Sequence, residues 1–175
     1  PSRWDAMSLL LTTDQLCRAS AGGFVQDPEL VDHKRFAISR AEVNAMDPQQ
    51  RLFLEHGYAA LHDALLDRSS LEGSGTGVFL GVANADFHEL LAHMPIGMST
   101  YAATGTSFSI ACGRLSYVLG LNGPCAAYDT ACSAALVACH SGLRALQDDE
   151  CDLSVVAGVS LMLTPRTATA YAIAG

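Results

Sequence analysis

Apolar positions in this chain gather into a few dense blocks separated by turn-rich stretches, and the spacing inside each block predicts its form. Residues 1–46 are broken by Gly22-Gly23, Pro28 and scattered charges, a pattern that predicts irregular chain. The character changes at Asp47-Pro48-Gln49-Gln50. An N-cap residue, a proline at the first helical position and a glutamine at the third announce a helix there. Leu52, Phe53, Tyr58, Leu61 and Leu65 carry that helix towards Asp67. A serine- and glycine-rich turn follows through Ser69, Ser70, Gly73, Gly75 and Gly77, and Val78-Phe79-Leu80-Gly81-Val82 then reads as a short buried strand.

Residues 88–104 predict loop or short helix, and Ser107–Leu119 an amphipathic helix broken by Asn122-Gly123-Pro124. The last third is denser. Cys125–Tyr128 reads as a strand, Cys132–Leu146 as a helix that is apolar or small nearly all round, and Leu153–Leu163 as a second buried strand. A helix with so few polar positions belongs inside a protein rather than on its surface. Strand, helix, strand in this order predicts a βαβ unit with parallel strands in a sheet covered on both faces. The expected class is α/β, with helices sandwiched between sheets. No internal repeat or low-complexity segment interrupts this layout.

Composition narrows the function. Half of the residues are hydrophobic and 16% are charged, which supplies a core and argues against disorder. Eighteen acidic residues against ten basic ones give a net charge of −8, which disfavours nucleic acid and anionic membranes as partners. No stretch approaches the roughly 20 apolar residues that a membrane span requires. The six cysteines, at 17, 112, 125, 132, 139 and 151, form no CxxC pair, and no two histidines stand at metal-ligand spacing. No metal is therefore expected, although Cys132, Cys139 and His140 could be imagined around zinc. Unpaired thiols inside apolar runs fit a reducing, cytoplasmic setting.

Candidate chemistry concentrates at Asp129-Thr130-Ala131-Cys132-Ser133-Ala134-Ala135, where a strand ends and a helix begins. Free backbone N–H groups and the positive end of the helix dipole stabilise an anion at such a junction, so a thiol placed there is a better nucleophile. The N–H of the cysteine can also face the oxygen of a thioester under attack. Position alone leaves Cys132 open between a nucleophile and one more buried thiol. Ser133 is a rival, but no GxSxG elbow surrounds it, and neither the papain-like nor the caspase-like cysteine signature is present.

The run from Gly123-Pro124 through Asp129-Thr130-Ala131-Cys132-Ser133-Ala134-Ala135-Leu136-Val137-Ala138-Cys139-His140 closely resembles the active-site signature of beta-ketoacyl synthases. Its nearest type is the ketosynthase domain of modular type I polyketide synthases. Further runs match in family order: Arg3-Trp4-Asp5, Met46-Asp47-Pro48-Gln49-Gln50-Arg51-Leu52, Gly77-Val78-Phe79-Leu80-Gly81, Cys112-Gly113-Arg114-Leu115-Ser116-Tyr117, and Gly158 with Pro165. The resemblance implies a thiolase-like layered αβαβα fold. Residues 1–175 would be the N-terminal portion of the ketosynthase domain, without its first strand and its C-terminal half. It also implies a homodimer.

The implied reaction is a decarboxylative Claisen condensation in polyketide biosynthesis. Cys132 would be the catalytic acyl acceptor, taking the chain from the phosphopantetheine arm of an acyl carrier protein and presenting it to a malonyl-type extender. The enzyme itself would need no cofactor. The family's two catalytic histidines would lie downstream of these residues, so the segment alone is expected to be inactive and poorly soluble. His140 reads as a packing or hydrogen-bonded residue, and His33, His56, His62, His88 and His93 read as solvated. Two alternatives share the fold, a non-elongating domain that passes or gates acyl chains and a fatty-acid synthase ketosynthase. Ala134-Ala135 departs from the usual serines, and Tyr128 is larger than the usual Val or Ile.

Overall fold

The computed structural model describes residues 12–19 and 22–174. Arg3-Trp4-Asp5 lies outside the described residues. The chain divides into two compact units. Pro1–Asp27 with Leu161–Gly175 forms the first, whose described part brings helix α1 (Thr13–Ala19) against helix α9 (Pro165–Ala174). Pro28–Ser160 forms the second and contains α2 (Arg40–Ala45), α3 (Pro48–Asp63), α4 (Arg68–Leu71), β1 (Thr76–Val82), α5 (Asp86–Ala92), α6 (Ala102–Thr106), α7 (Phe108–Leu119), β2 (Cys125–Tyr128), α8 (Ala134–Gln147) and β3 (Leu153–Val159).

In the second unit the three strands form a parallel sheet in the order β2-β1-β3. The parallel pairing matches expectation, but β2 and β3, joined through α8, are not neighbours. Each pairs with β1, which is buried along its whole length. Side chains of a strand point alternately to its two faces. Val78, Leu80 and Val82 accordingly enter one core with Leu54 of α3 and Leu115 and Leu119 of α7, while Phe79 enters another with Ala138 and Ala145 of α8. Helices thus cover both faces of the sheet. Each large aliphatic side chain fully buried there stabilises the fold by about 1.5–3 kcal/mol.

The start of α3 follows its sequence signal: Asp47 Oδ1 accepts the Gln49 N–H at 2.8 Å, with Pro48 at the first helical position. The helix stops at Asp63, short of the expected end near Asp67. Leu65 turns into the left-handed region at φ 62°, and Asp67 caps α4 by accepting the Ser70 N–H at 2.8 Å. Three other expectations need correction. Residues 1–46 are not wholly irregular, since α1 and α2 lie there; Ser39 Oγ accepts the Glu42 N–H at 3.1 Å and so starts α2. The strand expected over Leu153–Leu163 ends at Val159, and Pro165 opens α9 rather than a simple turn. The third correction concerns α8. It begins at Ala134 rather than Cys132, and although apolar or small nearly all round it is not buried all round, with Leu136 73% and Leu143 52% exposed.

Candidate active site

Cys132 lies on a tight 3-10 turn, Ala131–Ser133, that links the end of β2 to the first residue of α8. Three short-range contacts shape the approach. Asp129 Oδ1 accepts the Ala131 N–H at 3.2 Å, and the Ser133 hydroxyl donates to the Thr130 carbonyl at 2.8 Å with Thr130 Oγ1 2.9 Å away. Ala131 is held at φ 52°, a left-handed conformation that disfavours any side chain and stores about 1–3 kcal/mol. The strain turns the chain sharply and leaves Cys132 exposed at the head of a 14-residue helix. Unpaired N–H groups in the first turn of such a helix favour negative charge beside it.

Backbone contact seats that helix on the sheet. Gly81 and Gly158 are cross-strand partners on β1 and β3, directly under the start of α8. A Cβ on Gly81 would sit 2.7 Å from the Ala134 carbonyl oxygen, and one on Gly158 would sit 2.6 Å from the Ala135 Cβ. Only glycine permits so close an approach. Lower down, Gly142 meets Val156 and Phe79 in the same manner. Of the two alanines that depart from the usual serines, Ala134 is buried against the sheet and Ala135 is exposed. Tyr128, beside Gly81 in the register, packs under α8 with the Phe79 and Ala138 cluster.

The structure joins the Asp47–Leu52 and Cys112–Tyr117 motifs. Arg114 of α7 donates from Nε to Gln50 Oε1 and from Nη1 to the Glu42 carboxylate. Gln50 donates onward to the Ser107 carbonyl at 3.2 Å, and Gln49 to the Asn84 carbonyl at 2.6 Å. Arg51 donates to the Met46 and Glu29 carbonyls at 3.0 and 2.7 Å. Apart from the half-buried Glu42 these side chains are buried, so desolvation makes each of their partners necessary. Burial raises the Asp47 carboxyl against the opposing hydrogen bonds of Gln49 and lowers the Arg51 guanidinium. The network braces α3, α7 and the loops beside the sheet that carries the Cys132 turn.

Other candidates fall apart in space. His140 is exposed on α8 rather than packed, and lines an open apolar depression of about 480 Å³ with Leu136, Val137, Cys139 and Leu143. His56, His62, His88 and His93 are exposed, as expected, whereas His33 is partly buried, its Nδ1 3.2 Å from the Ile38 carbonyl. Among the described residues no group of three His, Cys, Asp or Glu side chains stands close enough to hold a metal ion. No helix among them is long and apolar enough to cross a membrane. Sequence reasoning missed one juxtaposition: Cys112 of α7 and Cys125 of β2 line the same cavity of about 200 Å³.

The whole chain, residues 1–175, matches the family described as beta-ketoacyl synthase, N-terminal domain. It is 47% identical over 146 residues to polyketide synthase GfsE of Streptomyces halstedii, covering 83% of this chain and 4% of that protein. It is 43% identical over 154 residues to a mycocerosic acid synthase-like polyketide synthase of Mycolicibacterium smegmatis, covering 88% of this chain and 7% of that protein. Among solved structures, the ketosynthase from module 6 of the bacillaene synthase of Bacillus subtilis superposes with a TM-score of 0.84. That match has 35% identity and covers 99% of this chain and 28% of that one. The chain thus spans a small part of the proteins it matches, and its fold is that of the corresponding part of a ketosynthase.

Proposed function

The chain belongs to the beta-ketoacyl synthase N-terminal domain family, and on that footing we propose that it supplies the acyl-accepting thiol, Cys132, of a polyketide ketosynthase. One observation carries the assignment: Cys132 is exposed on a strained turn at the head of α8, which is set on the sheet by glycine contacts. The substrate is an acyl thioester on the phosphopantetheine arm of an acyl carrier protein. The Cys132 sulfur attacks the thioester carbonyl carbon, a new C–S bond forms, and the carrier thiol leaves with a proton. Backbone N–H groups at the α8 entrance face the developing oxyanion. The acyl-enzyme splits one difficult condensation into two easier steps.

In the second step a malonyl-type extender loses carbon dioxide and its carbanion attacks the acyl carbon, releasing Cys132. We assign the acyl-transfer half-reaction to the residues of this chain. The same reading takes the assembly to be a cytoplasmic homodimer that requires no cofactor of its own. Both the elongating and the non-elongating versions of such a domain use this thiol.

The test is acylation of the full-length protein by an acyl-pantetheine thioester, followed by peptide mass analysis. The acyl mass is expected on the Cys132 peptide and absent in Cys132→Ala. Undiminished acylation of the variant would move the acceptor elsewhere.

A further inference from the structure

The turn that presents Cys132 is held mainly by its own hydrogen bonds. Among the described residues no side chain buries it, since Asp129, Thr130, Ala131, Cys132 and Ser133 are all exposed. The bonds at its far end are duplicated: the Thr130 carbonyl accepts both the Ser133 hydroxyl at 2.8 Å and the Ser133 N–H at 3.3 Å. The near end has one brace among the described residues. There the Ala131 N–H donates to Asp129 Oδ1 at 3.2 Å, and Ala131 is the residue held at φ 52°. An aspartate that bonds its own backbone two residues on imitates a backbone turn. The brace thus opposes the strain stored at the residue immediately before the thiol.

We propose that Asp129 is a positioning residue for acyl transfer, its side-chain oxygen holding Ala131 left-handed so that Cys132 is presented to the incoming thioester. This inference rests on Cys132 being the acyl acceptor. What the position requires is an acceptor oxygen at the reach of an aspartate, not a negative charge. Charge of that sign near a developing oxyanion repels it, so it works against the reaction while the oxygen works for it. Asparagine supplies the same oxygen at the same reach without the charge. Glutamate keeps the charge, but its extra methylene carries the oxygen out of the small ring that closes on the Ala131 N–H. A positioning role and a charge role therefore predict opposite orders for these two replacements.

The experiment reads single-turnover acylation of the full-length protein by an acyl-pantetheine thioester, quantified on the Cys132 peptide. Cys132→Ala runs beside it and reports the acceptor assignment by itself: acylation that persists there refutes that assignment, whereas the order of the Asp129 variants decides the positioning role. Asp129→Ala should lower the rate at saturating thioester about tenfold, the effect of losing one hydrogen bond, with the half-saturating concentration unchanged. Asp129→Asn should recover the rate to within about twofold of the unmodified protein, and Asp129→Glu should stay about fivefold down. In an Ala131→Gly background the left-handed turn carries no side-chain strain, so Asp129→Ala should cost only about threefold. A full rate in Asp129→Ala, a rate for Asp129→Glu above that for Asp129→Asn, or the same tenfold loss in both backgrounds would overturn the proposal.

Discussion

The two faces of the sheet are built on opposite principles. On the α3 and α7 side, space is filled by bulky side chains: Leu54, Leu80 and Leu115 are wholly buried, and Arg51 and Arg114 tie the surrounding loops. On the α8 side, contact is made by Ala134, Ala138, Gly142 and Ala145 against Phe79, Gly81 and Gly158, so that backbone nearly touches backbone. A side-chain core absorbs small changes by repacking. A backbone contact cannot, and the position of the Cys132 turn depends on it. The face that positions Cys132 is therefore the one with least tolerance for added atoms.

That contrast can be attacked by substitution, with stability read from urea unfolding of the full-length protein. Leu115→Ala empties a fully buried site and should destabilise by about 4 kcal/mol. Gly81→Ala adds only a methyl group but drives it into the α8 backbone. It should cost about 3 kcal/mol, the upper end of overpacking effects, and also slow acylation of Cys132 by displacing its turn. Leu115→Met conserves volume on the other face and should cost about 1 kcal/mol. If Gly81→Ala proved milder than Leu115→Met, the contrast between the faces would collapse. The smallest effect has the opposite sign. Ala131→Gly releases the left-handed strain and loses part of that gain to backbone entropy, for a net stabilisation of about 0.5 kcal/mol.

Much of this was legible from local chemistry. Asp47-Pro48 announced α3, the run Val78–Val82 announced β1, and Asn122-Gly123-Pro124 closed α7 ahead of β2, because caps, prolines and buried strands act over a few residues. Helix α2 carried a readable signal in Ser39 and Glu42, overshadowed by the breaks around it. The rest depends on long-range packing. Nothing local reveals that Ala131 is forced to positive φ, that Gly81 and Gly158 lie side by side beneath Ala134-Ala135, or that Cys112 and Cys125 line one cavity. The apolar circumference of α8 was equally visible, but composition says only that a helix side is apolar and leaves open whether this stretch of chain covers it.

The strand order also sets a sequence of events in time. Val78 pairs with Cys125 on one side and Val155 on the other, so among the described residues neither flanking strand has a partner until β1 is available. During synthesis β1 leaves the ribosome first and then serves as template for β2 and, after α8 has crossed over it, for β3. Pairings between such distant segments are slow to close and leave apolar strand edges open meanwhile. Truncations that remove β3 should therefore trap the chain with α8 unseated and the Cys132 turn unformed, whereas slowing translation after Tyr128 should raise the yield of folded protein.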